Sequence, residues 1–125
     1  MALAATIFGI LITVVVLFQL ALAAGMPWGH LAMGGRYPGV FPPAMRIAAL
    51  VQIGVLALLV LIVLTRAQMI FPAWYAVSEK AIWVVAAVSA ISLVLNVMTP
   101  SKWERILWSP VALLMTVCSI VVALG

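Results

Sequence analysis

The sequence predicts an all-α membrane protein, a four-transmembrane-helix bundle with a structured Gly/Pro-rich first loop. Three observations predict it. The 125 residues are 69% hydrophobic and 6% charged, whereas a soluble domain carries about 25% charged residues. Such a chain cannot cover a water-facing surface, so its solvent is lipid. The apolar residues fall into four runs, each near the roughly 20 residues that a helix needs to cross a bilayer. Amphipathic aromatics collect where those runs end: Trp28, Tyr37, Trp103 and Trp108 on one side, Trp74, Tyr75 and Trp83 on the other. That is the headgroup level, which suits rings that are part apolar and part polar.

Taken in order, the helices are expected at about residues 2–24, 45–65, 81–98 and 106–124, in a single domain spanning 1–125, with a capping loop at 25–44. The first run has no Lys or Arg before it and exceeds the length of a signal-peptide core, so it is read as a retained helix. The second follows Pro42-Pro43, and proline suits a helix's first turn. The third and fourth are slightly short, which predicts tilt or extension into the flanks. Four spans place both termini and the second loop on one side. Arg36, Arg46, Lys102 and Arg105 lie on the other, with loops one and three; Arg66 and Lys80 lie with the termini. This four-to-two bias predicts loops one and three in the cytoplasm and both termini outside.

The first loop, GMPWGHLAMGGRYPGVFPPAMR from Gly25 to Arg46, breaks the apolar pattern. It holds five glycines, four prolines and the chain's single histidine. It lacks the Glu, Lys, Ser and Gln of solvated chains and carries Trp28, Leu31, Met33, Tyr37, Val40 and Phe41, which favour burial. An ordered cap folded over the bundle's mouth is expected, with a short helical turn near Pro27 to Met33. The third loop, TPSKWER, lies on the same side. Ser101 to Glu104 matches a capping box, and Glu104 is a candidate for an ion pair with Arg36 or Arg46 that would pin the cap.

Three amides, Gln19, Gln52 and Asn96, occur within the apolar runs. Counted from the helix ends at 1.5 Å per residue, each lies roughly 6–9 Å inside the face that carries loops one and three. They are expected to line a polar pocket beneath those loops. Ser89, Ser92 and Asn96 share one face of the third helix, and Ala112, Thr116, Ser119 and Ala123 share one face of the fourth. Small residues allow close approach and polar ones can hydrogen-bond between helices, so these stripes are also expected to join the bundle.

Several functions are excluded or disfavoured. No Asp or Glu lies within the four apolar runs, which removes the carboxylate on which proton-coupled four-helix drug exporters depend. The scattered basic residues form no stripe, so the +4 net charge is no argument for nucleic acid. One cysteine, Cys118, allows no intrachain disulfide. One histidine and no carboxylate cluster leave no metal site, and no cofactor is expected. GGRY is similar to part of the motif of small fluoride channels, but it sits in a loop and the rest of that pattern is missing.

The candidate ligand-binding residues are therefore Gln19, Gln52 and Asn96 in the pocket, with Trp28, His30, Arg36, Tyr37, Trp103, Glu104 and Arg105 above it. The aromatics would flank a ligand and Arg36 would meet an anion bidentately. His30, whose ordinary pKa is near neutrality, and Glu104 are the candidate catalytic pair. PWGHLAMGGRYPGVFPP together with TPSKWERILWSPVALL resembles a group of small four-span bacterial membrane proteins over essentially the whole chain. The resemblance implies four helices in a bacterial inner membrane and supplies no activity, cofactor or catalytic residue. The leading expectation is a lipid-embedded protein that binds a small amphiphile or lipid headgroup. Alternatives are an intramembrane enzyme on a lipid or isoprenoid-like substrate, or an assembly subunit with a membrane-protein partner or a second copy of itself.

Overall fold

The computed structural model describes residues 1–125 as four long helices: α1 (Ala2–Ala24), α2 (Pro43–Arg66), α3 (Tyr75–Met98) and α4 (Lys102–Leu124). At 23 or 24 residues each, they are about 35 Å long, enough to cross the roughly 30 Å apolar layer of a bilayer. They run up and down in sequence, and each packs against its chain neighbours, with α4 closing the ring against α1. Large apolar side chains cover the outside: Leu17, Val51 and Ile91 are each about 60% exposed. An exterior of that kind is stable only in lipid, and the chain is an integral membrane protein.

Helix ends follow local chemistry. α1 stops at Gly25, whose φ of 101° is left-handed, and the Gly25 and Met26 N–H groups return to the Leu22 and Ala21 carbonyls at 3.2 and 2.9 Å. This arrangement satisfies carbonyls that the last turn would otherwise leave bare. α2 begins on Pro43, two residues earlier than expected. α3 begins at Tyr75 rather than at residue 81, after a short 3₁₀ turn at Pro72–Trp74. Its first turns carry Glu79 and Lys80, which are exposed, so a purely apolar reading of the helix starts too late. α4 likewise begins at Lys102 rather than 106, because Ser101 caps it by accepting from the Glu104 N–H at 3.4 Å. Pro110 lies inside α4, where it removes one helical donor.

Two apolar clusters form. The larger lies toward the termini and contains Phe8, Val63, Ile82, Val85 and Val122, all at 0% exposure. The smaller lies under the first loop and joins Phe18, Leu22, Phe41 and Ala49. The small-residue stripes let α3 and α4 approach closely, with Ser89 and Ser119 both buried, but they do not hydrogen-bond between helices. Thr116 and Ser119 donate to Ala112 and Thr116 carbonyls of their own helix, and Asn96 donates to Ser92. Back-bonding within the helix satisfies these donors without requiring a partner helix.

Candidate functional site

The first loop folds back over the end of the bundle, as its composition predicts. It makes two short 3₁₀ turns, Gly29–Leu31 and Met33–Gly35, slightly beyond the expected turn at 27–33. The Gly29 N–H bonds the Gly39 carbonyl at 2.8 Å. Gly29 is held so close that a Cβ there would fall 1.9 Å from the Tyr37 carbonyl oxygen, so only glycine fits.

Three bonds attach this loop to the start of α4, and all engage its main chain. The Ser101 hydroxyl donates to the His30 carbonyl (2.6 Å). The Trp108 indole donates to the Leu31 carbonyl (3.0 Å). Glu104 Oε2 accepts from the Gly34 N–H (3.0 Å) and the Thr99 hydroxyl (3.1 Å). The ion pair expected between Glu104 and Arg36 or Arg46 is therefore replaced by neutral donors. Arg46 instead donates to the Ala23 carbonyl at 2.7 Å, and Arg36 is exposed. The capping box is half-formed: Ser101 caps Glu104, but Thr99 rather than Glu104 receives the Ser101 N–H.

Beneath the loop, between the two apolar clusters, is a cavity of about 670 Å³ with contributions from all four helices. Gln19, Gln52 and Asn96 line it together, so the agreement in depth read from the sequence corresponds to one space. Glu104, Thr99 and Ser92 add the remaining polar side chains, and 16 of the 24 lining residues are hydrophobic. That mixture of a mostly apolar wall and a few converging polar groups is typical of small-molecule sites.

The walls differ in exposure. On the α1 and α4 side, Phe18, Ala112 and Met115 are 9%, 4% and 8% exposed. On the α2 and α3 side, Ala49 and Leu56 are buried at 3% and 5%, but Ala48, Gln52, Leu95 and Met98 line the same cavity and are exposed at its edge, with Leu95 at 64% and Met98 at 74%. The cavity therefore opens sideways, between α2 and α3, toward the lipid.

The remaining candidates from the sequence sit outside the cavity wall. Trp28 stacks on Phe18 at 6.4 Å and Tyr37 meets Phe41 edge-on at 6.1 Å, so both back wall residues. Arg105 donates to the Thr99 carbonyl at 2.9 Å. Lys102 lies 5.8 Å from the centroid of the exposed Trp103 ring. His30 contributes its carbonyl, while Arg36 and His30 do not line the space. Sequence reasoning missed Trp108 and the methionines Met33, Met45, Met98 and Met115, all of which line it. A signal was present: Glu104, Trp108, Val111 and Met115 recur at helical spacing along one face of α4.

The fold and the site define a class: an integral membrane four-helix bundle with a laterally open, mainly apolar cavity capped by its first loop. Comparison of the chain with protein-family models, with curated proteins and with solved structures finds no match.

Proposed function

We propose that this protein binds a small amphiphile that enters from the lipid between α2 and α3, its polar head among the amides and its tail toward the apolar wall. The observation that carries this reading is the convergence of Gln19, Gln52, Asn96 and Glu104 on one cavity with an exposed mouth. Half-buried and exposed amides beside an apolar wall can hydrogen-bond a polar head while the wall takes an apolar tail. The four methionines in the wall have flexible, polarizable side chains that adapt to irregular ligands. The enzymatic alternative needed His30 beside Glu104, and His30 lies outside the wall. The resemblance and the four-to-two distribution of basic residues support a bacterial inner membrane, with the mouth facing the cytoplasmic leaflet and the termini outside.

The test is native mass spectrometry in mild detergent with a medium-chain monoacylglycerol, comparing the wild type with Ala48→Phe. Ala48 is exposed at the mouth, so the larger ring obstructs entry while leaving the core alone. A saturable one-to-one adduct on the wild type, reduced at least tenfold in the variant, is expected. No adduct, or an equal and non-saturating one on both, would overturn the reading.

A further inference from the structure

The sequence reading placed Arg36 at the cavity to receive an anion. The geometry points the other way, and we propose that the head this cavity selects is cationic: an amphiphile bearing an ammonium group, held by Glu104. The inference rests on the amphiphile-binding reading above and specifies its ligand.

Glu104 supplies the only ionisable side chain in the wall, and no Lys, Arg or His lines the cavity. It is 9% exposed. Its Oε2 is occupied by Gly34 and Thr99, while Oε1 receives no hydrogen bond from the protein. None of the neighbouring cations pairs directly with Glu104: Arg46 donates to the Ala23 carbonyl, Arg105 to the Thr99 carbonyl, and Lys102 lies over the Trp103 ring. Arg36 is exposed and outside the wall. The α4 N-terminus offsets about half an elementary charge, which leaves net negative charge at the cavity wall.

The rest of the polar lining suits the same head. The Asn96 nitrogen is used by Ser92, at 2.7 Å to the carbonyl and 3.3 Å to the hydroxyl, which leaves its oxygen as an acceptor. Gln19 and Gln52 line the same space, and the oxygen of each can turn to accept from an ammonium. An ammonium has three donors and no acceptor, so a carboxylate oxygen and amide oxygens complement it. A carboxylate or phosphate head would face Glu104 with no cation in the wall. Charge-assisted bonds are roughly twice as strong as neutral ones, so the head should discriminate.

Binding of dodecylammonium, 1-dodecanol and dodecanoate, which share one chain length, would be measured in a neutral maltoside detergent at pH 7. The wild type should bind dodecylammonium at least tenfold more tightly than dodecanol, and dodecanoate most weakly. Glu104→Gln, which keeps size and one acceptor, should remove the preference for ammonium while retaining dodecanol binding. Equal binding of ammonium and alcohol by the wild type would overturn the cationic head and leave the amphiphile reading standing. Failure of all three to bind would overturn both. The comparison on the wild type needs no variant, so it decides the matter even if Glu104→Gln folds poorly. Lysophosphatidylethanolamine beside dodecylammonium then identifies the source. Tighter binding of the first would assign the ammonium to a phospholipid head, and tighter binding of the second to a free amine.

Discussion

The two ends of this bundle solve opposite problems with the same helix, α4. At the terminal end, the core is closed: Phe8, Val63 and Val122 are fully buried. A buried cation, Arg66, seals it by donating to the Ala123 carbonyl at 3.3 Å and the Tyr75 hydroxyl at 3.2 Å. Its guanidinium also lies 5.5 Å from the Tyr75 ring centroid. At the loop end, a buried anion, Glu104, sits at the start of α4. Each charge has the sign that the adjacent helix terminus favours. The difference lies in what surrounds them. Each keeps one unused polar atom, but the Arg66 Nε is enclosed by protein, whereas Glu104 borders a cavity of about 670 Å³. Closure at one end and an open cavity at the other separate a packed half of the bundle from a half with space in it.

The largest test of that contrast is packing. Phe8→Ala should cost about 3 kcal/mol, because the filled core cannot collapse around the loss. Met45→Ala, at a half-buried methionine in the cavity wall, should cost only about 1 kcal/mol, since part of that side chain already faces open space rather than a packed core. Reversible unfolding in mixed micelles measures both. A cost for Met45→Ala as large as that for Phe8→Ala would mean that the loop end is as tightly filled as the other.

A smaller effect is expected from the cap. Trp108→Phe keeps the edge contact with Phe18, whose centroid is 4.8 Å away, but deletes the indole bond to the Leu31 carbonyl. The expected cost is about 1 kcal/mol, concentrated in the first loop. Amide hydrogen exchange at Gly29–Arg36 should accelerate, while the α1 amides around Phe8 stay protected. Equal acceleration at both ends would show that the loop and the core unfold together.

The contrast was only partly legible in the sequence. Four helices follow from hydropathy, and the shared depth of Gln19, Gln52 and Asn96 pointed to one space because depth needs only a residue count from each boundary. Helix starts were missed at Tyr75 and Lys102 because exposed charged residues occupy first turns that extend past the apolar run. The Glu104 partner was missed for a different reason. Its donors include a main-chain N–H, at Gly34, and no side-chain pattern records where a main chain will be brought. The lateral mouth was not legible either: α2 and α3 are apolar on nearly every face, so periodicity does not distinguish lipid from cavity.

The smallest effect separates two kinds of unpartnered polar group. Ser89 lies near the middle of α3, is 2% exposed, and its hydroxyl has no hydrogen-bond partner. It does not line the cavity, so neither a ligand nor the mouth can serve it. Replacing an unsatisfied buried hydroxyl by hydrogen removes a desolvation cost and no compensating bond. Ser89→Ala should therefore stabilise the protein by about 0.5 kcal/mol, with the volume change too small to open a void. Asn96→Leu, two turns along the same face, removes a cavity acceptor and should weaken ammonium binding several-fold while leaving unfolding within about 0.5 kcal/mol. Opposite readouts from two residues on one helical face would show that polarity is functional only where the space opens. Loss of amphiphile binding in Ser89→Ala would instead extend the functional space into the closed half and break the contrast.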